Sequence, residues 1–230
     1  MRPVALVFLC ACVLLTAVAA FFAFQPERSG TVTMWALACG PTLLLAAAAG
    51  AWANREELLR EWLLPRWGDF TRGLIGAVGL FVAAWGFTRV VAPVGSPREI
   101  WLVSLYGQLG SPRDLQAHAP AVAATIAIVT LAEEIVWRGM VTQLLADALG
   151  SRTAWIWAAG LYALAYTPTL WALGTGSFSS LNPLLVIGAA CGGLLWGGMA
   201  RSFGRLGPSI LAHALFDWGV VMMFPLWGLH

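Results

Sequence analysis

The sequence contains no lysine. All 13 of its basic side chains are arginine, set against 11 acidic ones. Charged residues are 10% of the 230-residue chain, where a soluble domain carries about 25%. That scarcity excludes an ordinary soluble fold, whose surface needs charge. The formal net charge of +2 is too small for a nucleic-acid binder, and no basic cluster interleaved with aromatics occurs. Cysteine is scarce too: Cys10, Cys12, Cys39 and Cys191 each lie in an apolar run. Cys10 and Cys12 have no histidine or carboxylate beside them, so metal-ligand spacing is missing. The four read as small buried apolar residues. The lack of lysine, with abundant Ala, Gly and Trp, fits GC-rich coding and a bacterial source.

What the chain does have is apolar length. It is 60% hydrophobic, with a mean hydropathy of +0.78. Crossing the hydrocarbon takes about 20 apolar residues. The expected fold is therefore all-α, a polytopic transmembrane helical bundle of about seven spans (six to eight) in one membrane domain. The spans fall at 3–24, 31–53, 73–93, 120–145, 153–171, 183–200 and 208–228. The first run is longer than the roughly 7–15 residues of a signal-peptide core, so it reads as a retained helix. The stretch REELLREWLLPRWGDFTR, 55–72, alternates Leu and Trp with charge at helical spacing. It predicts an amphipathic interfacial helix near 55–66, broken near Pro65. A short surface helix is expected around 98–109. Ser151 or Thr153 can cap the fifth span, and Pro208 sits in the first turn of the seventh. The stretch 174–183 is rich in turn formers.

Arginine bias sets the orientation. With the N-terminus inside, Arg2, Arg55, Arg60, Arg66, Arg72, Arg152, Arg201 and Arg205 are cytoplasmic. Arg28, Arg89, Arg98 and Arg113 are outside. Eight against four favours an integral protein of the bacterial plasma membrane with a cytoplasmic N-terminus.

Most acidic residues sit in loops or at span ends, which leaves Glu133, Glu134 and Asp217 deep inside, with Arg138 and His213. An ionisable group at the bilayer centre costs about 2.5–3.5 kcal/mol on insertion scales, so each needs a reason. Glu134 and Arg138 are four apart and share a helical face. Glu133 lies about 100° away round the helix, without a partner on its own element. An unpaired buried carboxylate suits general acid–base work. His213 and Asp217 are again four apart, and a carboxylate beside imidazole fixes its tautomer. Tyr162 and Tyr166 repeat the spacing in GLYALAYTP. Each pair taken alone has a bland reading: a structural ion pair, a satisfied core histidine, a solvated aspartate, interface aromatics. Three helices offering polar groups at one spacing, in a chain that otherwise avoids them, point to a shared site.

These residues resemble a known family. Glu133-Glu134-Ile-Val-Trp-Arg138 is similar to the EExxxR motif of the CPBP family, the CAAX-protease and bacteriocin-processing membrane proteins. His213-Ala-Leu-Phe-Asp217 resembles its last motif, HxxxN or HxxxD. The resemblance covers roughly residues 120–220. It implies variable N-terminal transmembrane helices with interfacial segments over 1–119 and a catalytic core over 120–230. It implies an intramembrane endopeptidase acting on a membrane-tethered protein or peptide within the lipid bilayer. Glu133 would activate water, and Glu134 and Arg138 would hold the site. His213 and Asp217 would stabilise the oxyanion, Asp217 through His213 or as a protonated donor. One motif departs. The family's FxxxH is here Tyr162-Ala-Leu-Ala-Tyr166, so tyrosine stands where histidine is expected. A phenol holds a water or donates to an anion, but is a poor base. His118 and His230 lie at expected outer ends and do not substitute. Two readings besides the protease stay open. One is a chain that has lost hydrolysis and binds a membrane partner as a scaffold. The other is a zinc-assisted site on Glu133, Glu134, His213 and Asp217, against which the single histidine argues. No resident cofactor is expected.

Overall fold

The computed structural model describes residues 3–174 and 181–222. Among these it is helical, with turns between helices and no strand. Runs rich in Ala and Leu form the long helices, which carry Gly, and in one case Pro41, within them. Helix α1 (Pro3–Ala23) is followed by a one-turn 3₁₀ segment at Pro26–Arg28, then by α2 (Val32–Arg55), α3 (Leu58–Leu63) and α4 (Asp69–Val90). Two short helices, α5 (Glu99–Leu109) and α6 (Pro112–Ala117), lead into α7 (Ala119–Glu133). A π-helical stretch, Glu134–Val141, joins α7 to α8 (Thr142–Leu149) without a break. Then come α9 (Ala154–Ala165), α10 (Thr169–Ala172), α11 (Leu184–Phe203) and α12 (Gly207–Met222).

Five of these bodies are long and apolar enough to cross a membrane among the described residues: α1, α2, α4, the continuous rod Ala119–Leu149, and α11. The other two expected spans are shorter. The fifth, expected over 153–171, stops at Ala165, so α9 has 12 residues. Pro168 is the physical reason: it lacks an N–H and bars helix from the residue before it. The seventh appears as α12 with 16 residues, and the rest of 208–228 lies outside the described residues. Pro208 does occupy its first turn. Thr153 precedes α9 but makes no side-chain cap bond. Helix α1 packs on α2 and α9, burying Leu9 and Cys12 in the central core.

The tightest packing joins α4 to α12. A Cβ added to Gly73 would lie 2.6 Å from the Leu211 Cβ, so only glycine admits that approach. An ion pair that the sequence reading missed holds the base of this pair. Asp69 and Arg205 are both buried, with Arg205 Nε donating to Asp69 Oδ1 at 3.0 Å and a second nitrogen on the same oxygen. Asp69 Oδ2 also accepts from the Arg66 amide at 2.8 Å. At the same end, Arg201 donates to the Arg152 carbonyl.

The interfacial helix is shorter than expected, because α2 runs on to Arg55 and α3 begins only at Leu58. Its Trp62 points inward. The Trp62 carbonyl accepts from the Leu206 amide at the start of α12. Its ring lies over Gly139, where a Cβ would come within 2.5 Å. At the other end α5, near the expected 98–109, lies across the bundle. It is tied by Gly30 N to Gln108 O (2.9 Å), by the Tyr106 hydroxyl to Val220 O (2.6 Å), and by Asn182 Nδ2 to Trp101 O (2.9 Å).

Candidate active site

Glu133 ends α7 and Glu134 opens the π-helical stretch. A π turn bonds each amide to the carbonyl five residues back, and such widened turns recur at functional sites. The side chain of Thr142 spans the same five-residue offset, its hydroxyl donating to Trp137 O at 2.8 Å. All of 132–141 is buried.

Both oxygens of Glu133 are taken by phenols. The Tyr162 hydroxyl donates to Oε2 at 2.7 Å, and the Tyr166 hydroxyl donates to Oε1 at 2.9 Å. The two rings meet edge to face, centroids 5.2 Å apart. Tyr166 is the residue just beyond α9. Hydrogen bonds to a charged group are worth about 1.5–3 kcal/mol each, which offsets much of the cost of burying the carboxylate. The tyrosines therefore turn into the bundle onto Glu133 instead of standing at the interface. Tyr162 was visible in the sequence only as half of a spaced pair, in a slot where the resembling motif has phenylalanine.

His213 sits between all three carboxylates. Its Nδ1 is 3.0 Å from Glu134 Oε1. Its Nε2 is 3.6 Å from Glu133 Oε2 and 3.4 Å from Asp217 Oδ2. With a hydrogen on each nitrogen, every one of these contacts is donor to acceptor. The ring stacks on Trp196, centroids 3.6 Å apart and planes 19° apart. Trp196 was not singled out from the sequence, although Gly192, four residues before it, clears its space. A Cβ on Gly192 would meet the indole at 2.6 Å.

Glu134 is fully buried and pairs with Arg138 at 3.3 Å, as the i, i+4 spacing predicts. The guanidinium lies between two rings, 4.5 Å from the Tyr162 centroid and 5.1 Å from that of Trp196. Desolvated cation–π contacts reach about 2 kcal/mol. The six expected residues, Glu133, Glu134, Arg138, Tyr166, His213 and Asp217, thus converge from α7, the π stretch, α9 and α12, and Tyr162 and Trp196 join them. His118 is elsewhere, its Nδ1 2.9 Å from Asp114 O on an exposed turn. His230 lies outside the described residues. Among the described residues no three of His, Cys, Asp and Glu converge as a metal-binding group.

The site closes one end of a chamber of about 440 Å³. The rest of its wall is largely apolar, interspersed with threonines and drawn from α1, α2, α4, α5, α7, α11 and α12, with Cys39 and Tyr106 on it. Asp217 is the most open of the charged groups, its side chain 34% exposed against 8% for Glu133.

Residues 115–219, somewhat under half of the chain, match the family model of the type II CAAX prenyl endopeptidase Rce1-like proteins. The match agrees with the resemblance drawn from the motifs, and it covers every residue of the site. No curated protein and no solved structure matches the chain.

Proposed function

We propose that this membrane protein, whose residues 115–219 carry an Rce1-like endopeptidase core, hydrolyses a peptide bond of a membrane-associated protein or peptide, with Glu133 as the base that activates water. The observation that carries this reading is the position of Glu133. Its carboxylate stands at the inner end of an apolar chamber, fixed by two phenols and 3.6 Å from His213 Nε2.

The steps follow from the groups present. A water beside Glu133 gives its proton to the carboxylate as its oxygen attacks the scissile carbonyl carbon. The new oxyanion accepts from the Nε2–H of His213 and from the Tyr166 hydroxyl, which turns toward it. Such donors, set before the charge develops, are worth about 2.7–4 kcal/mol each in other hydrolases. Glu133 then returns the proton to the leaving nitrogen as the C–N bond breaks. Glu134 holds Nδ1 of His213 and is neutralised by Arg138. Asp217 acts on Nε2 and needs no proton of its own. The tyrosine at 166 leaves Glu133 as the only base. The arginines gathered at the Asp69–Arg205 end support a cytoplasmic N-terminus, and the lysine-free composition supports a bacterial plasma membrane.

A second reading has its own observation. Both Glu133 oxygens are occupied by tyrosines, an arrangement that also suits a scaffold binding a membrane partner without cleaving it. Glu133→Gln separates the two. Cleavage of membrane-tethered candidate peptides should vanish at unchanged folded yield. Cleavage retained in that variant, or none from the wild type with any candidate, sinks the protease reading.

A further inference from the structure

Trp196 belongs to none of the motifs that mark the site. It projects from α11 onto His213 of α12, buried, and its indole covers the imidazole with centroids 3.6 Å apart and planes 19° apart. Two neutral aromatic rings avoid such a face-to-face stack and prefer offset or edge contacts. A cationic ring favours it, because the indole face is electron-rich. The stack thus suits an imidazole with a hydrogen on each nitrogen, the form that donates to Glu134, Glu133 and Asp217 alike. The Arg138 guanidinium lies 5.1 Å from the same indole centroid, so one ring serves both cations that pair with Glu134. The indole Nε1 is buried and makes no hydrogen bond among the described residues. What Trp196 brings to the site is therefore its ring face.

The carboxylates hold the imidazole only at its nitrogens, and the Nε2 contacts are long, at 3.4 and 3.6 Å. Tilting about the Cβ–Cγ bond is left weakly resisted by them, and a flat indole against one face resists it directly. An Nε2–H that tilts away from the developing oxyanion loses much of its value, because hydrogen bonds weaken steeply off line. Resting on the protease reading for its chemistry, we infer that Trp196 is a positioning residue: it fixes the plane of the His213 imidazole, so that Nε2–H is aimed in advance at the oxyanion formed beside Glu133.

The test uses full-length protein in lipid nanodiscs. The chain has three histidines, so His118→Gln with His230→Gln leaves His213 as the one labelled imidazole for NMR. Its ring protons should lie upfield in the field of the indole, stay so in Trp196→Phe, and return to ordinary positions in Trp196→Leu. The second arm follows cleavage of a membrane-anchored, quenched fluorescent peptide. Losing an aligned oxyanion donor costs roughly 100- to 1,000-fold in kcat, so a donor left free to tilt should cost roughly ten- to a hundredfold. Trp196→Leu should lower kcat by that factor with KM unchanged, and Trp196→Phe should recover most of it. In a His213→Gln chain, Trp196→Leu should cost little more, because its effect runs through the imidazole. Where the leucine variant does not fold, Gly192→Ala takes its place, since its Cβ would stand 2.6 Å from the indole and displace it. Unshifted His213 protons, a raised KM at unchanged kcat, or a full further loss in the His213→Gln chain overturns the inference. A wild type that cleaves no peptide sinks the protease reading instead, and the ring protons alone then decide whether Trp196 holds the imidazole.

Discussion

The Tyr162 hydroxyl donates to Glu133 Oε2 at 2.7 Å from a ring that packs edge-on against Tyr166, whose own hydroxyl takes Oε1 at 2.9 Å. Each phenol secures one oxygen of a single carboxylate, so neither duplicates the other. Tyr162→Phe and Tyr166→Phe each remove a bond worth about 1.5–3 kcal/mol. Each should lower kcat/KM on a cleaved peptide by roughly ten- to a hundredfold. The double variant should fall by less than the product, because both act on the same group. A Tyr162→Phe protein with unchanged kinetics would show that the phenol only fills space.

Gly139 closes the EExxxRG run, and Trp62 lies on it so closely that a Cβ would sit 2.5 Å from the ring. Gly139→Ala should therefore destabilise by about 1–3 kcal/mol, the usual range for overpacking. Trp62→Leu in the same chain removes the clashing ring and should return part of the loss. Thermal unfolding in detergent of the two single variants and the double checks this. If Trp62→Leu gives no recovery, Gly139 is required for the π-helical backbone itself and not for the ring.

Some of this was legible in sequence and some was not. The pairs Glu134–Arg138 and His213–Asp217 follow from i, i+4 spacing, since helix geometry alone brings such residues together. The apolar runs placed α1, α2, α4 and α11 for the same local reason. The fifth span was drawn through Pro168, a stop that chain chemistry announces and that ended α9 at Ala165. The meeting of Glu133 with Tyr162, 29 residues away, depends on how α7 packs against α9, and no local rule encodes it. The π stretch is likewise not announced locally: its β-branched residues and Gly139 weaken an α-helix but do not specify a wider turn. Asp69 and Arg205 stand near span ends, where sequence spacing gives neither a partner. Their pairing across 136 residues appears only once α4 and α12 lie side by side.

That pair gives a stability prediction. Arg205→Met leaves Asp69 buried without its cation and should destabilise by about 3–5 kcal/mol. Replacing both partners by apolar residues, Asp69→Leu with Arg205→Met, should recover much of the loss, because the stranded charge is gone. Denaturant or thermal midpoints of the three proteins decide it. A single variant as stable as the wild type would mean that glycine-mediated packing of α4 on α12 suffices.

Helix α5 walls the chamber at the end away from the Asp69–Arg205 pair, and Tyr106 ties it to α12 through the Val220 carbonyl. Tyr106→Phe keeps the ring and deletes that one bond, worth about 0.5–1.5 kcal/mol. If opening of α5 admits molecules to the chamber, the open population should rise roughly two- to tenfold by the same free energy. Cys39 reports on it, because it lines the chamber and is half-buried. In a chain with Cys10, Cys12 and Cys191 changed to alanine, maleimide should label Cys39 faster by that factor when Tyr106 is phenylalanine. An Asn182→Ala change, which cuts the tie to Trp101 O, should act in the same direction by the same logic. Labelling rates that stay fixed in both variants would mean that reagents reach the chamber laterally between the long helices, and that α5 is a fixed wall.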